Sequence, residues 1–273
     1  MSRAPRNRTL VLDAGDAARR VPTLPATARE GVFVGDALAF LKSLRDVDLL
    51  FADPPYNLGK NFGNNRDSRR DYPEWTAAWL DAARGALAPT GSIYVCAVWQ
   101  NSGLMQSLLA ERFNIRTRIT WKRDKGRGAR TNWKSLHEDV WFATKSDRYT
   151  FNLDAVKMKK AVIAPYRDAA GRPKDWVETR EGRFRMTHPS NLWTDLCVPF
   201  WSMPENTPHP TQKPERLVER ILLASTAPGD FVADPFLGSG TSAVVSKRLG
   251  RRFAGCDLNP DYVRLAMKRL DRE

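Results

Sequence analysis

The sequence predicts an α/β fold with a mostly parallel sheet and helices on both faces. One observation is the apolar segment Val47 to Ala52, which stops abruptly at an Asp-Pro-Pro-Tyr turn. A second is the segment 230 to 233, followed by a glycine-rich turn and a stretch of helical periodicity. Short apolar runs of this kind are typical of buried parallel strands, and ligands bind at the carboxyl ends of such strands. Both turns are therefore expected at one edge of the sheet.

The remaining elements follow from hydrophobic periodicity and turn residues. Strands are predicted at 31–34, 92–98, 115–121, 139–144 and 252–256, and helices at 37–44, 75–87, 101–112, 215–225 and 243–249. Strands that alternate with helices favour a parallel sheet joined by helical crossovers. The length of 273 residues suffices for one large α/β domain with an insertion, or for two small domains.

The first turn, Asp53-Pro54-Pro55-Tyr56, provides hydrogen-bond acceptors beside an aromatic ring. Prolines lack an N–H and restrict the backbone, so the carbonyls of Asp53 and Pro54 are expected to point out of the turn. The exocyclic amino group of a nucleobase is a poor nucleophile, because its lone pair is delocalised into the ring. The Asp53 carboxylate and the Pro54 carbonyl would accept both amino hydrogens and localise that lone pair, while Tyr56 stacks on the base. A Pro-Pro turn without any chemistry fits these four residues equally well.

The second turn, residues 234 to 242, has the sequence Asp-Pro-Phe-Leu-Gly-Ser-Gly-Thr-Ser. A strand, a glycine-rich turn and a helix in this order are typical of a nucleotide cradle, since glycines let a ligand approach the backbone and a helix N-terminus favours an anion. A short Gly-x-Gly pattern alone is a weak signal. Here the next strand ends at Asp257, whose carboxylate suits ribose hydroxyls.

Between these turns lies the segment His209-Pro210-Thr211-Gln212-Lys213-Pro214. In order and spacing, the three motifs resemble the amino-methylating DNA methyltransferases that use S-adenosylmethionine. The catalytic motif precedes the cofactor motif, which resembles the β-class arrangement, a circular permutation of the usual order. The resemblance covers roughly residues 31 to 270. It implies a Rossmann-like methyltransferase fold with an inserted target-recognition region, double-stranded DNA as substrate and S-adenosylmethionine as cofactor.

The resemblance also implies roles for individual residues. The catalytic residues would be those of the first turn. Thr211 and Lys213 would bind the carboxylate at the methionine end of the cofactor. Asp36 would approach its adenine or ribose, although a helix N-cap explains this residue equally well. The full set expected to bind the cofactor is Asp36, Ala52, Asp53, Thr211, Lys213, Asp234, Phe236, Gly238, Ser239, Gly240, Thr241 and Asp257.

The net charge of +13 indicates a polyanionic partner. Residues 116 to 134 carry eight basic side chains against one acidic, and residues 145 to 187 carry eleven against six. This surplus predicts a DNA-binding surface in the middle third of the chain, although a solvated surface is the alternative. The loop 57 to 70 lacks periodicity and is expected to be mobile without DNA and to close over the target base. The basic residues expected to contact DNA are Lys60, Arg66, Arg69, Arg70, Lys122, Arg127 and Arg130. The pair His137-Glu138 before an apolar-aromatic strand resembles another motif of the family that helps to form the target-base pocket, so His137 is expected there, although a structural histidine is the alternative.

Four parts of the chain are expected. Residues 1–30, rich in arginine, small residues and proline, predict a flexible basic arm. Residues 31–144 would form the catalytic half and residues 206–273 the cofactor-binding half. Residues 145–205 break the α/β rhythm and interleave basic with aromatic side chains, so they are the expected target-recognition insertion.

Several classes of function are disfavoured. The three cysteines have no Cys-x-x-Cys spacing and the three histidines are scattered, so neither a metal site nor a disulfide framework is expected. The sequence contains no Pro-Cys pair, which argues against methylation of cytosine C5. No apolar run approaches the length of a membrane span and no signal peptide is evident, so a cytoplasmic location is expected.

Some alternatives stay open at this point. By resemblance, an Asp at the first motif position favours adenine N6 as the target, while cytosine N4 suits the same acceptors. An RNA or protein-glutamine methyltransferase shares the Pro-Pro-Tyr logic but usually has Asn first and the glycine motif upstream. A non-catalytic nucleic-acid-binding protein would explain the charge but not the paired acceptors. By resemblance, a homodimer and a cognate restriction nuclease are expected partners.

Overall fold

The computed structural model of the protein describes residues 7–62, 66–123, 130–163 and 165–273. In this part of the chain the main sheet contains β1 (Gly31–Val34), β2 (Val47–Ala52), β3 (Leu87–Ala97), β4 (Asn114–Lys122), β5 (His137–Thr144), β9 (Leu192–Trp193), β10 (Phe231–Asp234) and β11 (Arg252–Asp257). A separate small sheet contains β6 (Met158–Ala161), β7 (Val177–Thr179) and β8 (Gly182–Thr187).

The described helices are α1 (Ala14–Ala18), α2 (Ala37–Ser43), α3 (Tyr72–Ala86), α4 (Trp99–Ala110), α5 (Glu215–Ser225), α6 (Thr241–Arg248) and α7 (Pro260–Leu270), with a 3-10 turn at Leu153–Val156. In the described ranges, no helix combines the length and the apolar character needed to cross a membrane.

The main sheet has the strand order β1-β11-β10-β2-β3-β5-β4-β9. The first five strands are parallel, whereas β5 is antiparallel to both of its neighbours. The mostly parallel α/β sheet predicted from the sequence is therefore confirmed. Strands β2 and β10 are direct neighbours, with Leu49 opposite Val232. The turns that begin at Asp53 and Asp234 consequently leave adjacent strands at the same edge.

Two apolar cores lie on the two faces of the sheet. One contains side chains of α2, α3 and α4, including Phe40, Trp79 and Leu109. The other contains side chains of α5, α6 and α7. Strand β2 contributes to both cores, since Leu50 packs on the first face and Leu49 on the second, as the period of two in a strand requires. Helices therefore cover both faces, and only the edges and ends of the strands remain open to ligands.

Most predicted elements occur within a few residues of their predicted ends. Strands β1 and β2 and helix α5 have the bounds expected from periodicity. Strand β3 begins earlier than predicted, at Leu87, because Leu87 pairs with Val47 beside it before the Pro-Thr-Gly sequence interrupts the ladder. Cross-strand pairing of this kind is a tertiary contact that periodicity does not reveal.

The segment before β1 differs from the predicted flexible arm. Residues 7–30 lie along the fold, with Leu10 buried and the Leu24 N–H donating to the Val34 carbonyl. Helix α1 is fixed to α7, because Lys268 pairs with Asp13 and Asp16. Flexibility was predicted from a composition poor in large apolar residues, but ion pairs with the opposite end of the chain hold this segment. Residues 1–6 of the predicted arm lie outside the described residues.

The region 145–205 contains the small antiparallel sheet, ordered β6-β8-β7, which was not predicted from the sequence. Its strands are short and mostly exposed, so they show no alternation of apolar and polar residues. At the end of this region β9 returns to the main sheet and pairs with β4. The division of the chain into two halves and a target-recognition insertion stays a prediction.

Candidate active site

A cavity of about 350 Å³ opens at the carboxyl edge of the parallel strands. Its lining includes residues at or just beyond the carboxyl ends of four of these strands. They are Asp36 after β1, Asp53 to Tyr56 after β2, Phe236 and Gly238 after β10, and Asp257 at the end of β11. Because parallel strands end at one edge, their terminal residues converge there. The structure thus brings the two sequence motifs to a single cavity of a volume typical of ligand sites.

The turn Asp53 to Tyr56 is held by hydrogen bonds on several sides. The Pro55 carbonyl accepts a hydrogen bond from the Tyr72 hydroxyl at 3.0 Å, and the Tyr56 carbonyl accepts one from Asn101 Nδ2 at 3.1 Å. The Tyr56 hydroxyl donates to Asp53 Oδ1 at 2.7 Å. Asp53, Pro54, Pro55 and Tyr56 all line the cavity. The acceptors predicted from the sequence are therefore presented on a fixed backbone.

Lys213 occupies a different place from the one implied by the resemblance. Its ammonium group donates to Asp53 Oδ2 at 2.6 Å and to the Tyr56 hydroxyl at 3.1 Å, and lies 3.3 Å from Glu138 Oε2. Lys213 is buried and is not among the residues that line the cavity. Burial by itself would lower its pKa, but the carboxylates of Asp53 and Glu138 outweigh burial and hold the pKa above its ordinary value. Lys213 thus contacts the catalytic turn instead of the cofactor cavity.

Glu138 is a site residue that the sequence reasoning missed. It is only 2% exposed, pairs with Arg123, and its Oε2 lies 3.4 Å from the Tyr56 hydroxyl oxygen. The sequence analysis selected the adjacent His137, which does not line the cavity. Successive side chains of a strand point to opposite faces, so only one of this His-Glu pair reaches the catalytic turn. The adjacent His-Glu pair was the sequence signal that could have indicated Glu138. The register of β5 determines that Glu138, and not His137, faces the turn.

Asp234 supports the glycine-rich turn from inside. Its carboxylate accepts hydrogen bonds from the Phe236 N–H, at 2.9 Å, and from the Ser242 hydroxyl. The side chain is buried and does not line the cavity. Direct contact between Asp234 and a cofactor was expected from the sequence. In the structure Asp234 instead fixes the turn that forms the cavity wall.

The pH dependence of stability follows from this burial, which raises the pKa of Asp234 to about 7. An unfolded aspartate titrates near ~4, so the folded protein binds this proton more tightly than the unfolded chain. The contribution of Asp234 to stability is therefore largest at low pH and declines as pH rises from about 4 to about 7. We expect the melting temperature of the wild type minus that of Asp234→Asn to be smaller at pH 8 than at pH 5, as measured by calorimetry. An equal difference at both pH values would contradict this assignment.

The two glycines of the turn have separate functions. Gly238 lines the cavity at a φ of 50°, and an added Cβ would lie 2.9 Å from His209 Nε2. Gly240 has a φ of 77° and does not line the cavity; an added Cβ would lie 2.5 Å from the Cβ of Ala266 in α7. Gly238 therefore keeps the ligand side open, whereas Gly240 allows α6 to start in contact with α7.

Ser239 and Thr241 also face the protein interior. Their hydroxyl oxygens accept hydrogen bonds from Arg269 at 3.2 and 3.0 Å, and the Thr241 hydroxyl donates to the Lys213 carbonyl at 3.1 Å. Neither residue lines the cavity, and the same holds for Ala52 inside β2. These three residues were expected to contact the cofactor, and the structure instead gives them packing and positioning contacts.

Asp36 and Asp257 lie at the cavity with their carboxylates partly occupied. Asp36 Oδ1 accepts hydrogen bonds from Leu38 N at 3.0 Å and Ala39 N at 3.1 Å, so it caps α2 and lines the cavity as well. Asp257 Oδ2 accepts one from Gly238 N at 2.9 Å, and burial raises the pKa of its carboxyl group. Asp36 is therefore the N-cap of α2 and also lines the cavity, and its approach to a cofactor stays a prediction. Thr211, another predicted residue, lines the same cavity.

The loop after Tyr56 forms one side of the cavity. Lys60, Arg66 and Arg69 line it, whereas Arg70 is exposed and does not. The loop is held by the buried Asp67 carboxylate, which accepts hydrogen bonds from the N–H groups of Leu58 and Lys60. Mobility of this loop without DNA stays a prediction.

The other expected DNA contacts lie beyond the cavity. Lys122 and His137 are opposite each other where β4 ends and β5 begins. Arg130 is exposed in the connection between these strands. Arg127 lies outside the described residues. The structure therefore places three of these side chains at one end of a strand pair, without contact to the cavity.

Aromatic residues complete the cavity, and the sequence reasoning did not select them. Phe62, Trp75 and Tyr262 line it together with His209, which meets Tyr262 edge to face with ring centroids 4.5 Å apart. Burial, with Lys213 and Arg269 nearby, lowers the pKa of His209 to about 3, so its imidazole is neutral. Among the described residues, no partner hydrogen-bonds to His209 Nδ1. The cavity thus combines apolar rings with carboxylates and one unpartnered imidazole nitrogen.

Carboxylates suited to ribose, rings suited to a nucleobase and paired acceptors for an amino group define a class of enzyme. The fold and site are those of a Rossmann-like methyltransferase that acts on an amino group. A family model described as DNA methylase matches residues 47–268. The chain belongs to this family of S-adenosylmethionine-dependent DNA methyltransferases, which modify adenine N6 or cytosine N4.

Individual relatives agree with this assignment. The chain is 34% identical over 261 residues to the DNA adenine methyltransferase YhdJ of Escherichia coli, covering 92% of this chain and 85% of that protein. It is 35% identical over 245 residues to the type II methyltransferase M.HpaI of Haemophilus parainfluenzae, covering 87% and 73%.

Solved structures show the same fold. The cytosine-N4-specific PvuII DNA methyltransferase superposes with a TM-score of 0.66 at 20% identity, covering 92% of this chain and 90% of that one. The M1.HpyAVI complex with S-adenosylmethionine gives a TM-score of 0.62 at 24% identity, with coverages of 88% and 98%.

Proposed function

We propose that this DNA methyltransferase modifies N6 of adenine at a specific sequence of double-stranded DNA. The observation that carries the proposal is the shared cavity, where the Asp53 to Tyr56 turn meets the glycine-rich turn after β10. The choice of adenine is supported by the Asp at the first motif position and by the similarity to a DNA adenine methyltransferase. Both acceptors suit an amino group, and neither suits the C5 position of a pyrimidine.

S-adenosylmethionine fits the residues that line the cavity. The carboxylates of Asp36 and Asp257 would accept hydrogen bonds from ribose hydroxyls, as acidic residues at the ends of such strands do. Gly238 leaves the cavity wall free of a side chain, and Thr211 is available to the methionine carboxylate. The aromatic side chains would pack against the adenine ring. When bound, the cofactor supplies a methyl group on a sulfonium centre.

The residues of the chain prepare the amino group for attack. Asp53 Oδ1 and Oδ2 are fixed by Tyr56 and Lys213, and the lone pairs that remain can accept an amino hydrogen. The Pro54 carbonyl would accept the second amino hydrogen. With its lone pair localised in this way, the nitrogen would be able to accept the methyl group that a bound cofactor supplies, the bond from that methyl group to sulfur being the one that breaks, and the surplus amino proton would leave afterwards. Positioning and electrostatics supply most of the rate enhancement in such a site.

The target base must leave the duplex to reach this cavity, at a cost of a few kcal/mol. Contacts with phosphates would offset that cost. Candidates are Lys60, Arg66 and Arg69 at the cavity, together with Arg70, Lys122 and Arg130 elsewhere on the chain. Binding that depends on such contacts weakens steeply with salt.

Replacing Arg66 by alanine should therefore weaken DNA binding uniformly across sequences. We expect the slope of log affinity against log salt to fall by about 1, because one phosphate contact is lost. The measurement is fluorescence anisotropy with a labelled duplex from 50 to 200 mM salt. Arg45→Ala is the matched control, since Arg45 lies at the opposite edge of the sheet, before β2. An unchanged slope for Arg66→Ala would remove this residue from the interface.

Sequencing of DNA with modified-base detection tests the proposed function. Plasmid from cells that express the chain is compared with plasmid from cells that carry an empty vector. N6-methyladenine in one fixed sequence context would support the proposal, and N4-methylcytosine would overturn the choice of base. Unmodified plasmid from cells that contain soluble protein would count against DNA as the substrate, and RNA from the same cells would be examined next.

Three finer points belong to the proposal. A cognate restriction nuclease is proposed because several relatives are type II methyltransferases. A homodimer is proposed by resemblance alone, and light scattering of the purified protein would test it. A cytoplasmic location is proposed because the substrate is DNA.

A further inference from the structure

Behind the catalytic turn lies a cluster of four charged side chains, which we call the buried charge cluster. Its members are Asp53, Arg123, Glu138 and Lys213. Lys213 Nζ lies 2.6 Å from Asp53 Oδ2 and 3.3 Å from Glu138 Oε2, and Arg123 pairs with the other oxygen of Glu138. Two cations thus balance two carboxylates. Asp53 and Lys213 are 160 residues apart in the sequence, so only the fold brings the cluster together.

The members of the cluster differ in their access to the cavity. Asp53 lines it, whereas Lys213 and Glu138 do not. The side chains of Lys213 and Glu138 are 5% and 2% exposed, and that of Asp53 is 15% exposed. A buried ion pair adds little net stability compared with apolar packing, because desolvating its charges is costly. A contribution to the geometry of Asp53 therefore explains these buried charges better than a contribution to stability does.

We infer that Lys213 is a positioning residue for methyl transfer and that Glu138 fixes Lys213 in place. This inference rests on the proposed function. The ammonium group of Lys213 fixes Asp53 Oδ2 while the Tyr56 hydroxyl fixes Oδ1, so the orientation of the carboxylate is set before the base arrives. The same ammonium compensates the charge of two neighbouring carboxylates. The carboxylate oxygens of Asp53 are thereby held in one orientation at the cavity wall.

The resemblance implies a different function for Lys213, which is binding of the cofactor carboxylate. The two hypotheses predict that replacing Lys213 changes different constants. A positioning residue for Asp53 affects the rate of methyl transfer, whereas a ligand of the cofactor affects the affinity for it. The experiment therefore has to measure turnover and cofactor binding separately.

The variants are Lys213→Met, Lys213→Arg and Glu138→Gln, each in the full chain. Lys268→Met is the matched control, because Lys268 also lies between two carboxylates, Asp13 and Asp16, and none of these three residues lines the cavity. Single-turnover methylation of a duplex is measured with saturating cofactor. Binding of S-adenosylhomocysteine is measured by calorimetry, and thermal melting reports whether each variant is folded.

We expect Lys213→Met to lower the single-turnover rate about 100-fold, since a misplaced catalytic group costs a factor of this order. Affinity for S-adenosylhomocysteine should change less than about 3-fold, a difference below 1 kcal/mol. Lys213→Arg, which keeps the charge, should recover part of the rate, and Glu138→Gln should show a smaller loss than Lys213→Met. Lys268→Met should retain the wild-type rate.

The pH profile separates positioning from a purely structural effect. Without the cation, two carboxylates face each other and one of them takes up a proton more readily. The rate of Lys213→Met should therefore decline on the acid side at a higher pH than the rate of the wild type does. A structural role alone would lower the melting temperature and leave the shape of the profile unchanged.

Each outcome has a defined meaning. Weaker cofactor binding with an unchanged single-turnover rate would overturn the inference in favour of a cofactor ligand. An unchanged rate in folded Lys213→Met would overturn it as well. If Lys213→Met does not fold, the comparison of Glu138→Gln with the wild type decides, and an unchanged rate and pH profile there would overturn the inference. A wild-type protein that does not methylate DNA would instead refute the proposed function.

Discussion

Replacement of Asp53 by alanine is expected to abolish methyl transfer while duplex binding persists. The carboxylate is one of two acceptors presented to the amino group, and losing one preorganised electrostatic contact typically costs about 100- to 1000-fold in rate. Loss of Asp53 also leaves Lys213 without one of its two carboxylate partners in the buried charge cluster. We therefore expect a reduction in rate at or above the upper end of this range, measured as methyl incorporation into a duplex.

Two further variants make this result interpretable. Asp53→Asn keeps the size of the side chain and removes its charge, so it should lose nearly as much activity with less effect on folding. Asp81→Asn is the control, since Asp81 is an exposed carboxylate on α3 that pairs with Arg112. Folded Asp53→Asn with wild-type turnover would contradict a catalytic role for this carboxylate.

Replacement of Gly240 by alanine should destabilise the fold more than any other exchange of a glycine in the second turn. Its φ of 77° is unfavourable for residues with a Cβ, and the added atom would lie 2.5 Å from the Cβ of Ala266. Backbone strain costs about 1 to 3 kcal/mol and overpacking about another 1 to 3 kcal/mol. We expect the free energy of unfolding to be lower by about 2 to 6 kcal/mol in urea titrations.

Gly250→Ala serves as the matched control for this experiment. Gly250 has a φ of 71°, and an added Cβ there would meet nothing within 4 Å. It therefore carries the backbone strain without the steric contact, so it should cost only about 1 to 3 kcal/mol. Equal losses for both variants would show that contact with α7 is not what requires glycine at position 240.

The predictions that agree best with the structure are those that depend on the pattern of apolar and polar residues over a short stretch of sequence. The strand Val47–Ala52 and the helix Glu215–Ser225 have their predicted bounds. In a buried strand or an amphipathic helix, the spacing of apolar residues along the chain reflects which side chains are buried. The two polar turns lie at one edge of the sheet for the same reason, since both follow parallel strands. Family membership, fold class and the Asp53 to Tyr56 motif could thus be predicted from the sequence.

The expectations that differ from the structure concern residues whose environment is set from afar. Asp234, Ser239 and Thr241 belong to a motif associated with the cofactor, yet each hydrogen-bonds within the protein and supports the wall that Gly238 presents to the cavity. A motif marks a conserved arrangement of backbone and side chains in a family, but it does not say which side chains point to the ligand. The register and packing of the surrounding elements decide that.

The sequence by itself determined that this chain forms a mostly parallel α/β sheet with an Asp-Pro-Pro-Tyr turn and a glycine-rich turn at one edge, because both depend on neighbouring residues. Only the tertiary structure decided that Lys213 meets both Asp53 and Glu138, and that residues 7–30 pack along the fold. Ion pairs between residues far apart in the chain carry no periodic signature. Their partners are selected by strand order and burial, so the buried charge cluster becomes visible only when the chain is folded.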